Sequence, residues 1–161
     1  MNERMTLTVR PARPEDAPFL AGLAPRFTAF GLPAWRDEAA VRASMERALA
    51  LAVTPPADGA CLIVQDERGE PLGFVTLATD AELFTDEPEA YLANLAVTAG
   101  AEGRGAADAL LDAAEAWARA RGLPRLTLNV FAGNARARAL YARRGFHEDS
   151  LKLVRVLTGD L

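Results

Sequence analysis

The apolar positions of the chain follow two different periods, and each period predicts one kind of element. Alternation of apolar and polar residues is typical of strands, whereas apolar residues at i, i+3, i+4 and i+7 are typical of amphipathic helices. Strand patterns fall at residues 7–10, 60–65, 72–78, a segment ending near Val97, 125–130 and 151–157. Helical patterns fall at residues 14–25, 37–52, 103–121 and from about Asn134. The sequence therefore predicts an α+β fold, with about four helices on a mixed, largely antiparallel sheet of about six to seven strands. Its one parallel pair is formed by the strands around Val97 and Val130.

The composition is that of a single soluble domain. Of the 161 residues, 50% are hydrophobic and 25% charged, which suffices for one sizeable core, so we predict one domain over residues 1–161. The net charge of −4 does not favour a nucleic-acid partner. Cys61 is the only cysteine and His147 the only histidine, so no metal site is predicted. No uncharged apolar run reaches about 18 residues, and we expect a cytoplasmic protein without a membrane partner.

The candidate chemistry lies in residues 91–146. A strand ending near Val97 passes through a loop from Gly100 to Gly105 directly into a long helix. Such a junction leaves backbone N–H groups unpaired at the positive end of the helix dipole, which is an anion site and most often binds phosphate. A P-loop would need Gly-Lys-Ser/Thr here, and a dinucleotide fingerprint would need a third glycine at Asp108; the sequence has neither.

This stretch resembles the acetyl-coenzyme A site of the GNAT (GCN5-related) N-acetyltransferase superfamily over roughly a third of the chain. The family's loop, Gln/Arg-x-x-Gly-x-Gly/Ala, falls on Glu102, Gly103, Arg104, Gly105, Ala106 and Ala107. Its second signature falls on Asn134, Ala137, Tyr141 and Gly145-Phe146. One position departs from the pattern, because Glu102 stands where the family usually has Gln or Arg. A carboxylate pointing inward there would repel a pyrophosphate, and Arg104 could offset its charge.

The resemblance implies direct transfer of an acetyl group from acetyl-CoA to the amine of a small molecule or peptide, with both bound together. Acetyl-CoA is thus the expected cofactor, as acyl donor. The resemblance assigns the pyrophosphate to the loop at residues 102–107, and the thioester carbonyl and pantetheine arm to the strand backbone. The strand residues concerned are Leu95, Ala96 and Val97, and Asn134, Ala137 and Tyr141 complete the expected cofactor-binding set.

Two proton transfers need residues in this reaction. Tyr141 matches the family's general acid, although a phenol is a weaker acid than a thiol, so donation is uphill by about 2 kcal/mol unless a helix end or an arginine lowers its pKa. A lone Tyr on a helix would otherwise be interpreted as a packed core aromatic. The general base is left open between a water held by Asn94 and the carboxylates of the acidic segment 80–89, among which Glu89 is the candidate we assign.

The acceptor side is less defined by the sequence. Phe30 and Trp35, in the link between the first two helices, are candidate substrate-binding residues together with Asn94, although aromatics at a helix junction more often only pack. The acidic segment 80–89 mildly favours a positively charged acceptor. Two alternatives stay open: an acyltransferase for longer acyl-CoA, and an acyl-CoA-binding or regulatory module without catalysis. Sheet edges and the C-terminal strand also make a homodimer possible.

Overall fold

Five strands form one sheet in the computed structural model, which describes residues 5–159. The strands are β1 (Thr8–Pro11), β2 (Ala60–Gln65), β3 (Pro71–Ala81), β4 (Pro88–Val97) and β5 (Leu126–Leu128), and they lie in that order. The first four are antiparallel neighbours. β5 runs parallel to β4, with Ala90 opposite Leu126 and Leu92 opposite Leu128. The predicted α+β class and its parallel pair are therefore confirmed.

Four α-helices flank this sheet within the described residues. They are α1 (Ala17–Gly22), α2 (Glu38–Leu51), α3 (Ala106–Ala120) and α4 (Ala135–Arg143). α3 buries Leu110, Leu111 and Ala114 against the sheet residues Val75 and Leu92. α1 and α2 cover the opposite side, where Leu20 and Leu49 pack with Ile63 and Phe74. Because both faces are covered, the neighbouring residues Phe74 and Val75 of β3 are both fully buried. None of the helices described is long and apolar enough to cross a membrane.

The predicted number of strands was wrong: the sheet has five strands, not six to seven. Residues 151–157 alternate as a strand should, but they form none, and Leu151, Leu153 and Leu157 are 75%, 90% and 83% exposed. A strand needs a partner edge for its backbone hydrogen bonds, and alternation alone does not provide one. The neighbouring β5 offers only three residues, Leu126–Leu128, instead of the six predicted for 125–130.

The first predicted helix, residues 14–25, is also divided. Two 3₁₀ turns, Pro14–Asp16 and Ala24–Phe27, flank α1. The helix does not continue into the second turn because Pro25 lacks a backbone N–H. The acidic segment 80–89 is largely part of a hairpin, since β3 runs to Ala81 and β4 begins at Pro88. Neither change affects the strand-loop-helix junction.

An ion pair at the start of the fold carries a stability prediction. Asp16 is buried and accepts hydrogen bonds from Arg10 Nη1 at 2.7 Å, Arg10 Nη2 at 2.9 Å and the Arg13 N–H at 2.7 Å. The bond from Arg10 lowers the pKa of Asp16, against the opposing effect of burial. A lowered pKa in the folded state stabilises the fold above the unfolded value and loses this contribution as pH falls through the folded value.

We expect Asp16→Asn to lower the free energy of unfolding at pH 7 by about 3 kcal/mol, because it leaves the Arg10 charge without its partner. Urea titrations at pH 7 and at an acidic pH below the folded-state pKa of Asp16 should show the difference shrinking at the lower pH, because wild-type Asp16 is protonated there. Glu148→Gln, in an exposed pair with Arg138, is the matched control and should cost under about 1 kcal/mol. Equal losses at both pH values would show that Asp16 acts through packing and not through its charge.

Candidate active site

The parallel pair opens partway along β4. Its pairing with β5 ends at Leu92 and Leu128, whereas β4 continues to Val97. Beyond this point β4 pairs only with β3 among the described residues, so one backbone edge of residues 94–97 is open. A β-bulge lies at the opening, because Thr76 is opposite Asn94 and Leu77 is opposite Leu92, which leaves Ala93 as the extra residue. The predicted Leu95, Ala96 and Val97 all lie on this edge.

A glycine loop follows at the end of β4. After a 3₁₀ turn at Ala99–Ala101, the chain passes through Gly103 and Gly105 with φ of 71° and 86°, in the left-handed region that favours glycine. Gly105 is the N-cap of α3 and has no side chain to cap it. Within residues 5–159, no hydrogen-bond partner is present for the backbone N–H groups of Gly103, Gly105, Ala106, Ala107 and Asp108. This cluster of donors at the positive end of a 15-residue helix can bind an anion.

Glu102 faces two arginines at this loop. Its carboxylate forms ion pairs with Arg26, in the 3₁₀ turn after α1, and with Arg136 of α4. Arg104, which the sequence suggested as the compensating charge, is exposed and makes no ion pair within the described part of the chain. Arg26 was missed by the sequence analysis, because it is remote in sequence from the loop and belongs to no motif.

α4 begins as the sequence predicted. The Asn134 side chain accepts a hydrogen bond of 3.2 Å from the Ala137 N–H and so caps the helix. The helix is fixed to α3 by Arg144, whose Nη2 donates to Asp112 at 2.6 Å and to Glu115 at 3.1 Å. The second motif is thereby held against the helix that follows the glycine loop.

Tyr141 lies half-buried on α4. Its ring makes an edge contact with Phe146, with 5.5 Å between the ring centroids, and packs against the core beneath α3. Burial raises the pKa of Tyr141 above its ordinary value of 10.0. Proton donation was expected to be uphill unless a nearby helix end or arginine lowered this pKa, and in the structure burial shifts the pKa in the opposite direction. The phenol therefore stays protonated throughout the neutral range.

Glu89 lies apart from this cluster. Its Oε2 accepts a 2.9 Å hydrogen bond from Arg125 Nε, and Glu87 accepts another of 2.9 Å from Arg125 Nη2. It sits at the start of β4, and six residues of strand, or about 20 Å, separate it from Leu95. The structure thus does not bring Glu89 to the open edge. Glu82 is engaged too, since it accepts from the backbone N–H groups of Phe84 and Thr85.

Asn94 is the polar side chain at the open edge. Its Nδ2 donates a 3.0 Å hydrogen bond to Oγ1 of Thr76, which is buried. This contact fixes the orientation of the amide and leaves its carbonyl oxygen available as an acceptor. Asn94 is a substrate-binding candidate of the sequence, and the structure places it next to the bulge.

The aromatic link contacts the segment after β5. Phe30 and Phe131 have their ring centroids 5.5 Å apart. The guanidinium carbon of Arg36 lies 4.2 Å from the centroid of Trp35 and 5.4 Å from that of Phe131. The predicted pair Phe30 and Trp35 is therefore joined by Arg36 and Phe131, which the sequence analysis did not select because neither has a periodic or motif signal.

These features define a class of protein. A mixed sheet whose parallel strands open beside a glycine loop at a helix start agrees with the GCN5-related N-acetyltransferase fold that the sequence resembles. Residues 25–146 match the model of the Acetyltransferase (GNAT) family. Since the match covers more than half of the chain, the protein belongs to the Acetyltransferase (GNAT) family.

Individual relatives match shorter segments. A mycothiol acetyltransferase of Beutenbergia cavernae is 54% identical over 52 residues, or 32% of this chain and 18% of that protein. The uncharacterized N-acetyltransferase YhfO of Bacillus subtilis is 33% identical over 89 residues, 55% of this chain and 60% of that protein. The chain thus spans less than two thirds of either relative's length. Among solved structures, the aminoglycoside N-acetyltransferase AAC(6')-Iy in complex with CoA superimposes with a TM-score of 0.69 at 16% identity, over 98% of this chain and 99% of that one. At that identity the likeness shows the fold alone.

Proposed function

We propose that the protein transfers the acetyl group of acetyl-CoA directly to a primary amine of a small molecule or peptide, with donor and acceptor bound together. The observation that carries this proposal is the open edge of β4 at residues 94–97 beside the unpaired N–H groups that start α3. A donor with phosphates and an amide-bearing arm suits this combination, because helix-start N–H groups bind phosphate and a strand edge pairs with amides.

The loop residues fit the pyrophosphate of CoA. The backbone N–H groups of Gly103 and of residues 105–108 are unpaired in the described part of the chain, and the guanidinium groups of Arg26 and Arg136 lie beside them on Glu102. The backbone at Leu95–Val97 aligns the arm and hydrogen-bonds the reacting carbonyl. Asn134 and Ala137 hold the first turn of α4 in place. When bound, acetyl-CoA supplies the acetyl group as a thioester.

Tyr141 serves in this proposal as the proton donor to the leaving sulfur. The raised pKa keeps its proton in place at neutral pH, which an acid requires before it reacts. The same shift makes the phenol a weaker acid, so the donation costs more than about 2 kcal/mol relative to a thiol of ordinary pKa. Tyr141 therefore acts on a developing negative charge at sulfur and does not ionise by itself beforehand.

In this proposal the acceptor ammonium loses its proton to a water that donates a hydrogen bond to the carbonyl oxygen of Asn94, and the proton passes from that water to bulk solvent. An ordinary alkylamine has a pKa near 10.4, so only about 1 in 10³ molecules is nucleophilic at pH 7. Glu89 is a weaker candidate because its carboxylate is bound to Arg125 at the other end of β4. The anchored amide of Asn94 lies at the open edge instead.

We expect Asn94→Ala to lower kcat/KM for the amine roughly 10- to 100-fold at pH 7 and much less near pH 10, where the amine is already neutral. The pH dependence of kcat/KM for wild type and variant checks this result. Thr76→Val removes only the anchor of the amide, and it should give a smaller loss with the same pH trend. If Glu89→Gln instead lowered kcat/KM with a loss that fades as the pH rises, and Asn94→Ala kept the wild-type kcat/KM, Glu89 would be the general base.

Thermal unfolding with and without acetyl-CoA tests the proposed function first. A ligand at about 100 times its dissociation constant adds about 2.7 kcal/mol of stability, which visibly raises the midpoint. We expect this rise with acetyl-CoA and not with ATP or NAD, followed by turnover in a screen of primary amines. Absence of both the rise and the turnover would reject the proposed function.

A second candidate function is an acyl-CoA-binding or regulatory module without catalysis. Two observations favour it: the carboxylate of Glu102 at the anion loop, and the lack of a carboxylate on β4 at residues 94–97. Acetyl-CoA stabilisation without turnover of any amine would support this function. Turnover of a single amine at an enzymatic rate would eliminate it.

Homodimerisation is a further part of the proposal. The exposed leucines of residues 151–157 and the short edge strand β5 both offer surfaces for a second copy. Light scattering during size-exclusion chromatography distinguishes monomer from dimer. A monomer at all concentrations would remove this part and leave the catalytic proposal untouched.

A further inference from the structure

Arg36 combines burial, stacking and the lack of a partner in an unusual way. Its guanidinium carbon lies over the rings of Trp35 and Phe131, at 4.2 Å and 5.4 Å from their centroids. Its Nε atom is buried and has no hydrogen-bond partner in the structure as described. Within residues 5–159 the side chain also forms no ion pair. A buried donor without an acceptor costs free energy, so such a group usually has an explanation.

The link that carries Arg36 runs along the opening between β4 and β5. At its start, Arg26 pairs with Glu102, which follows β4. At its end, Arg36 lies on Phe131, which follows β5. The link therefore contacts the segments that follow both strands, and Arg36 sits on the β5 side of the opening.

Most arginines near the opening already have carboxylate partners. Arg26 and Arg136 share Glu102, Arg138 pairs with Glu148, and Arg143 with Asp108. Arg104 has none but is exposed to water. Arg36 thus stands out among the described residues as a partly buried cation that forms neither an ion pair nor a side-chain hydrogen bond.

Three carboxylates of the acidic segment 80–89 are themselves engaged. Glu87 and Glu89 bind Arg125, and Glu82 binds the backbone of its own turn. These three carboxylates are therefore not free to bind a cationic acceptor, whose positive charge stays a prediction. The charge that is available at the opening is positive.

Stacking on aromatic rings restrains a guanidinium and leaves its two terminal Nη groups as donors for a planar anion. An arginine edge matches a carboxylate through two parallel hydrogen bonds, which a lysine cannot reproduce. We propose that the acceptor carries a carboxylate in addition to its amine, as amino acids do, and that Arg36 binds this carboxylate. This inference rests on the proposed acetyltransferase function and specifies its substrate class.

Matched acceptors test the proposal with the full-length protein and saturating acetyl-CoA. Each pair consists of an ω-amino acid, from glycine to 6-aminohexanoic acid, and the carboxamide of the same length, compared at the same concentration of neutral amine. We expect kcat/KM to favour the acid at least 10-fold in one pair or more. Arg36→Gln should abolish this preference by lowering kcat/KM for the acid far more than for the carboxamide, while the midpoint shift with acetyl-CoA is retained. Arg36→Lys should restore only part of it.

Arg121→Gln is the matched control. Arg121 also stacks on a tryptophan, at 4.3 Å from the Trp117 centroid, but it follows the end of α3 opposite to the glycine loop. This variant should keep the preference for the acid. Equal use of acids and carboxamides by the wild type, or an unchanged preference in Arg36→Gln, would overturn the inference.

Fluorescence gives a readout that does not depend on turnover. The chain has two tryptophans, so in Trp117→Phe the emission comes from Trp35 alone. We expect the preferred ω-amino acid to change this emission saturably. The carboxamide of the same length should give no such change, and the ω-amino acid should give none in the double variant that also carries Arg36→Gln. A saturable response without acetylation of any amine would reject the proposed function but keep the carboxylate site. Acetylation of amines without any response would reject the site alone.

Discussion

Tyr141→Phe is expected to lower kcat at least 100-fold with acetyl-CoA and a good acceptor, because the departing sulfur loses its proton donor. The wild-type rate should rise with pH as the acceptor amine loses its proton. It should not fall again below about pH 10, since burial raises the pKa of Tyr141 above 10.0 and the phenol keeps its proton until then. Steady-state rates from pH 6 to pH 10 measure both effects.

The packing of Tyr141 permits a clean substitution. Its hydroxyl makes no hydrogen bond within the described residues, and its ring contact with Phe146 is kept by phenylalanine. Thermal midpoints of the variant with and without acetyl-CoA should therefore stay close to those of the wild type. Tyr91→Phe removes the only other phenol, which accepts a hydrogen bond from Asn129, and serves as the matched control. Full activity of Tyr141→Phe at every pH would assign the proton to solvent water.

The parts of the fold that were predictable from the sequence are those that local physics determines. The helical spacing of Leu110, Leu111 and Ala114 predicts α3, and these residues are buried as that spacing requires. Gly103 and Gly105 indicate the loop that leads into this helix, and both have a positive φ there. The parallel neighbour of β4 follows from a strand-helix-strand order. Each of these features needs only neighbouring residues or one crossover rule.

The parts that were not predictable depend on partners remote in sequence. Residues 151–157 have a strand pattern, but whether they pair depends on which backbone edge they meet. Glu89 looks like an available base in the sequence, and only the parallel pairing of β4 and β5 brings Arg125 to it. The contacts of Arg36 and Phe131 arise from two loops that no periodicity connects. In the same way, the ion pairs of Glu102 could not be read from its motif.

Glu102→Gln is expected to tighten acetyl-CoA binding about tenfold at low salt. In the wild type, Glu102 neutralises one of the two charges that Arg26 and Arg136 bring to the loop. Glutamine keeps the size of the side chain and removes its charge, so the net charge of the three residues rises by one beside the site assigned to the pyrophosphate. The gain should shrink as salt screens the loop. Isothermal titration with acetyl-CoA at low and physiological ionic strength measures the dissociation constants directly.

The same substitution should have the opposite effect on the free protein. Without the Glu102 carboxylate, the two guanidinium groups repel each other, and the ion pairs that join the loop to Arg26 and Arg136 are lost. The thermal midpoint without ligand should therefore fall, and the free energy of unfolding should decrease by roughly 1 kcal/mol. A lower midpoint without acetyl-CoA together with a larger rise on its addition would show that Glu102 occupies the arginines until the phosphates arrive. Glu148→Gln breaks another arginine pair of α4 and should leave the dissociation constant unchanged. Weaker binding by Glu102→Gln would instead mean that the carboxylate orients Arg26 and Arg136 toward the phosphates. Glu102, which stands where the family usually has Gln or Arg, would then help to position the two arginines and would not compete with the phosphates for them.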